Sequence, residues 1–176
     1  MASFNEAIIV VLSHEGSTKA SDGSRYGIGM NTLRLLKLDK IGWTQFNIDR
    51  MTEEGAKDFY HRYYWDLFFE AIQDQMLSNK LFDLAVVMGI GTAILIAQKA
   101  IRTVGDLSIV LDGRPGPATL AALNYGGQDH KDALLKEICE VAVERMKIIA
   151  KSQDNAKYAK GWVKRAQWPF EEEVQG

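Results

Sequence analysis

The sequence predicts a mainly α protein. Apolar residues recur at helical spacing along most of the chain, capping residues sit where those periodic stretches begin, and short Gly/Pro/Ser-rich stretches separate them. The first helix spans Phe4 to Ser13, with Phe4, Ile8, Val11 and Leu12 on one face. The stretch EGSTKASDGSRYGIG after it holds four Gly and four Ser/Thr and reads as a loop, with a small β-hairpin expected near residues 17–28. Asn31 to Leu38 is a short helix. Thr52 caps a helix running to about Tyr64, and Glu53 and Glu54 complement its N-terminal dipole. Asp66 opens another short helix. Ser78 or Asn79 opens a long apolar one, in which Gly89 and Gly91 mark a kink or the close approach of another backbone. Ser108 to Leu111 is a short strand or an extended stretch. Asp112-Gly113 and Pro115-Gly116-Pro117 make a turn, and Pro117 suits the first turn of the next helix. Amphipathic helices follow from Asp129 or Lys131 to Lys151 and from Asn155 to Ala166. The acidic tail 171–176 is expected to fray.

Composition narrows the function classes. The chain has 176 residues, 47% hydrophobic and 25% charged, enough for a single domain with a substantial core. With 21 Lys+Arg against 23 Asp+Glu, the net charge of -2 argues against nucleic-acid binding driven by overall charge. One cysteine, Cys139, cannot form an internal disulfide, and its place among Leu135, Ile138 and Ala142 makes it a buried helix residue. One Cys and three His do not make a zinc site, and no metal or cofactor is expected. The Ala7–Leu12 run lacks a basic leader and is flanked by acidic residues, unlike a secretory signal. The uncharged run Leu84–Ala97 has 14 residues, short of the roughly 20 a helix needs to cross a bilayer. The expectation is a protein made in the cytoplasm, without stable membrane insertion, that needs help to leave.

The candidate chemistry lies at the first loop. Glu15 ends an apolar helix, where the negative end of the helix dipole favours a protonated carboxyl. The loop beyond it carries Asp22 and Ser24. A carboxylic acid with a second carboxylate, or with a water held by a hydroxyl, is the machinery of glycosidic-bond hydrolysis. A solvated helix-end residue gives the same spacing, so spacing alone leaves both readings open.

The sequence resembles glycoside hydrolase family 108, the N-acetylmuramidases related to phage endolysins and secretion-activator proteins. The resemblance rests on His14-Glu15-Gly16-Ser17, on Ser24-Arg25-Tyr26-Gly27-Ile28 and on Tyr60-His61-Arg62-Tyr63-Tyr64-Trp65-Asp66. It continues through Leu81-Phe82-Asp83 with Gly89 and Gln98, Asp112-Gly113 with Gly116-Pro117, Thr119 and Ala122-Leu123, and Gly161-Trp162-Val163-Lys164-Arg165. These elements stand in the family's order from about Asn5 to Arg165. The resemblance implies a lysozyme-like fold in one domain over 1–170, with a catalytic part to about 105 and a peptidoglycan-binding-like part from about 106. It also implies cleavage of the β-1,4 bond between N-acetylmuramic acid and N-acetylglucosamine, with Glu15 as general acid. Peptidoglycan strands are the implied partner, and release through a holin or a secretion system the implied route to the cell wall. The departures fall in the loop, which is shorter than the family's, has Ser17 for a glycine, and reads Ser24-Arg25 for Thr-Asn.

Asp22 is therefore the candidate second carboxylate, and Ser24 the candidate for positioning water. Arg25 can bind a lactyl or peptide carboxylate. Tyr26 and Tyr64 are candidate cleft residues, since aromatic faces stack on sugar rings, whereas Trp65 is more simply core. Asp83, on an apolar helix, needs a partner and braces the site or pairs with an arginine. His14 is a hydrogen-bonded structural residue, because successive helix positions face different directions. Trp162 and Arg165 either line the cleft or dock the last helix. The shortened loop also suits a rival reading, a non-catalytic peptidoglycan-binding or regulatory protein on the same fold.

Overall fold

The computed structural model describes residues 1–15, 20–65, 68–105, 108–151 and 159–170. Within them the chain is mainly α, as its periodicity predicts. The helices are α1 (Phe4–Glu15), α2 (Met30–Leu35), α3 (Gln45–Asp49), α4 (Glu53–Tyr63), α5 (Gln75–Met88), α6 (Ile90–Val104), α7 (Pro117–Asp129), α8 (Lys131–Ala150) and α9 (Ala159–Gln167). Single 3₁₀ turns lie at Asp39–Ile41 and Phe69–Ala71. Among the described residues no helix is long and apolar enough to cross a membrane.

Two buried helices, α5 and α6, form the spine. Helix α1 packs on α5, α6 carries α7 and α8, and α9 lies along α8. The start of α5 falls at Gln75, earlier than Ser78 or Asn79, because Asp74 supplies the cap: its carboxylate accepts the Leu77 N–H at 2.9 Å. Ser78 and Asn79 lie inside the helix and are buried, and the Ser78 hydroxyl donates to the Phe69 carbonyl at 2.9 Å. Gln75 also holds the front of α1, accepting from Ser3 N at 2.6 Å and donating to Ser3 O at 3.0 Å.

Both expectations for the mid-run glycines are met. The run breaks at Gly89, whose φ of 84° separates α5 from α6. Gly91 and Gly113 bring two backbones together, and a Cβ on Gly113 would lie 2.8 Å from the Gly91 carbonyl oxygen. Gln98 fastens the same approach: Nε2 donates to Asp112 at 2.8 Å and to Thr119 at 3.1 Å, and Oε1 accepts from Gly113 N at 2.9 Å. The Asp112 side chain caps its own turn through Arg114 N. This segment of the resemblance is thus a structural knot.

Among the described residues of the expected hairpin there is one antiparallel bridge, Arg25 to Ile28. Residues 16–19 lie outside the described residues, as do Asp66, expected to open a helix, and the tail 171–176. The core is aromatic where α1, α4 and α5 meet. Trp65 is fully buried there, its ring 5.2 Å from Phe82 and nearly perpendicular to it. Cys139 is buried on α8, as expected, and burial pushes its thiol pKa up.

Candidate active site

Helix α1 buries Ala7, Ile8 and Val11 along one face. Docking that face on α5 leaves the last turn, His14 and Glu15, at the junction of α1, α5 and α9. Helix α5 contributes Asp83, which is fully buried, and α9 contributes Arg165. The guanidinium bridges two carboxylates. Its Nε and Nη2 donate to Asp83 at 3.0 and 2.7 Å, and its Nη1 donates to Glu15 Oε1 at 2.5 Å. His14 Nδ1 lies 3.1 Å from Asp83 Oδ1. An ionised carboxylate only accepts, so the ring proton belongs on Nδ1. Asp83 therefore pairs with an arginine, one of the two alternatives of the sequence reading, and that arginine reaches Glu15.

Charge at this junction is shared rather than isolated. Burial alone would raise the Asp83 pKa, but the His14 hydrogen bond and the Arg165 charge outweigh it and hold the carboxyl below its ordinary range. Burial likewise opposes the Arg165 charge, yet Asp83 and then Glu15 hold the guanidinium protonated more firmly than in water. Glu15 keeps 17% of its side-chain surface open and Arg165 keeps 10%, so the pair is reachable from solvent.

The loop seals the other side. Tyr26 and Gly27 have φ of 52° and 74°, and Arg25 and Ile28 exchange both backbone hydrogen bonds around them. Two left-handed residues in sequence make a tight turn of the hairpin type. Gly27 is required there twice over. Its φ suits glycine, and a Cβ would stand only 2.8 Å from Glu15 Cγ, closer still to the carboxylate. Tyr60 donates its hydroxyl to the Tyr26 carbonyl at 2.8 Å, tying the turn to α4. Burial, then the Glu15 charge, pushes the Tyr60 pKa well up and the Tyr64 pKa to about 12. Both phenols therefore border Glu15 in their neutral form.

The remaining candidates are placed as follows. Asp22 is exposed, and its Oδ1 accepts from Ser24 N at 2.9 Å and from Ser24 Oγ at 2.7 Å, so the two are tied to each other in one turn. Arg25 Nη1 donates to the Asp49 carbonyl at 3.0 Å, and the guanidinium sits 5.6 Å from the Tyr26 ring centroid. Tyr26 and Tyr64 are both buried, which leaves each little open face for a sugar. Trp162 is half-buried and packs against the core.

Sequence reasoning missed Lys80. It is fully buried on α5, and its ammonium donates to the Arg165 and Ala166 carbonyls at 3.1 and 2.7 Å. It thereby caps the last turn of the helix that carries Arg165. Burial lowers its pKa. The available signal was a second charged residue three positions before Asp83 on the same apolar helix, on the same face.

A buried acid–base cluster braces one partly open carboxylate at the end of an apolar helix, in a mainly α fold. That arrangement is the candidate site of the fold, and comparison with known proteins makes it more particular. Residues 8–89 match the family model described as Glycosyl hydrolase 108, and residues 92–167 match the one described as Predicted Peptidoglycan domain. The N-terminal part of the chain is thus similar to glycosyl hydrolases of family 108, and the C-terminal part to a predicted peptidoglycan domain. Among solved structures, SagA of Brucella abortus shares the fold, with a TM-score of 0.70 over 93% of this chain and 89% of that one at 23% identity. No match was found among curated proteins.

Proposed function

We propose that the protein is a lysozyme-like N-acetylmuramidase that hydrolyses the β-1,4 bond between N-acetylmuramic acid and N-acetylglucosamine. It acts as a phage endolysin or as a secretion-associated cell-wall hydrolase. The observation that carries the reading is Glu15, a partly open carboxyl at a helix end, framed by Gly27 and by neutral phenols. In the reaction Glu15 gives its proton to the leaving glycosidic oxygen. The bond from the anomeric carbon breaks, and a water adds its oxygen there and loses a proton to a base. The Asp22–Ser24 pair is the candidate for holding that water. The part up to about residue 105 carries the chemistry and the part from about 106 holds the wall. A holin or a secretion system provides passage to it.

Glu15→Gln tests the assignment, because glutamine keeps the size and hydrogen bonding of the side chain but has no acidic proton. The expected result is a loss of roughly 10²–10⁴-fold in clearing of permeabilised Gram-negative cells, with sacculus binding retained. Wild-type activity in Glu15→Gln would refute Glu15 as the acid. A wild type that binds sacculi without clearing cells would favour the binding-module reading.

A further inference from the structure

The Arg165–Glu15 pair conflicts with the role just proposed. A guanidinium nitrogen 2.5 Å from Glu15 Oε1 is a partner for a carboxylate, whereas a general acid must carry a proton. Arg165 cannot simply swing away, because Nε and Nη2 are fixed on buried Asp83 and Lys80 holds the carbonyl end of its helix. Only the Nη1 contact is exchangeable, because its partner Glu15 keeps 17% of its side-chain surface open whereas Asp83 is fully buried. The anion on Nη1 can change while the arginine stays.

We infer that Arg165 is a carboxylate-exchange latch: a carboxylate of the incoming glycan displaces Glu15 from Nη1, and the freed Glu15 takes up a proton from solvent water. The inference rests on the hydrolase reading and adds to it a device by which the site tells carboxylate-bearing glycans from neutral chitin-like chains. Guanidinium recognises carboxylates as a planar fork and exchanges one for another without losing its Asp83 contacts. The substrate anion then stands beside Glu15, and two neighbouring carboxylates do not readily stay ionised together. Resting protein would thus be locked and muramyl-occupied protein armed. Either of two carboxylates can serve, the lactyl group of muramic acid or a carboxylate of the peptide stem.

Glu15→Gln provides the test, since it empties Nη1 of its ion pair without disturbing the Asp83 brace. Binding of three probes is followed by NMR titration of the Arg165 side-chain nitrogens: N-acetylmuramic acid for the lactyl carboxylate, muramyl dipeptide for a stem carboxylate, and N-acetylglucosamine as the neutral control. The latch predicts that at least one acidic probe binds Glu15→Gln about tenfold more tightly than wild type and shifts the Arg165 resonances. The neutral probe should bind both proteins alike. Which acidic probe responds identifies the carboxylate. Equal affinity of both proteins for both acids, or an Arg165 shift of the same size with N-acetylglucosamine, would overturn the latch. No turnover is needed, so a failure of the hydrolase reading is registered separately, in the cell-clearing assay.

Discussion

At the scale of single residues, the account turns on how tightly Glu15 is framed. Gly27 is the sharpest case, combining a left-handed backbone with a Cβ position that the Glu15 side chain already fills. Gly27→Ala is expected to cost about 1–2 kcal/mol from backbone conformation alone. It should also displace Glu15 and lower activity far beyond the fraction unfolded, which parallel melting and rate measurements on the same sample will separate. Asp83 makes a pH prediction. Its carboxyl titrates lower in the folded protein than its ordinary 3.8, so the unfolded chain takes up the proton first as pH falls. The stability it contributes is therefore fully present above about pH 4 and lost below it. Asp83→Asn should flatten that acid limb in denaturant titrations. At neutral pH it should cost about 3–5 kcal/mol, because Arg165 then keeps a buried charge without its main partner. The sequence pointed to Glu15 by its helix-end place and by the family resemblance, and to Asp83 as a carboxylate on an otherwise apolar helix. It did not reveal that Arg165 joins them, because the contact spans 150 positions and no local pattern encodes it.

At the scale of elements, most of the helices are legible because their caps and apolar faces are local signals. Thr52 accepts from Gly55 N at 3.1 Å and Pro117 opens α7, both as read from sequence. The start of α5 was less legible, since Asp74 and Ser78 are both acceptable caps and only packing against Phe69 decides between them. Tyr26 and Tyr64 show the same limit at the site. An aromatic residue in a saccharide enzyme reads equally as platform or core, and burial is a tertiary property. Helix α9 is the element on which the site depends most, and α5 secures it through Lys80. Lys80→Met keeps the apolar bulk and removes the two carbonyl contacts. It should destabilise by about 1.5–3 kcal/mol, measured by thermal melting. Hydrogen exchange should rise first in residues 159–167, the turns that lose their cap.

At the scale of the whole molecule, the two matched regions pack together through α5 and α6 and meet at the candidate site through Arg165. Glu15 lies in the part matched as a glycosyl hydrolase, Arg165 in the part matched as a peptidoglycan domain, and the ion pair joins them. The C-terminal region therefore completes the site as well as following it in sequence, and separating the halves should leave Glu15 without its partner. The chemistry of the products tests the central claim most directly. Purified sacculi are digested with the wild-type protein, reduced with borohydride, and the soluble fragments analysed by mass spectrometry. A muramidase leaves a new reducing end on N-acetylmuramic acid, so the fragments should end in reduced muramic acid. Fragments ending in reduced N-acetylglucosamine, or no soluble fragments at all, would contradict the account.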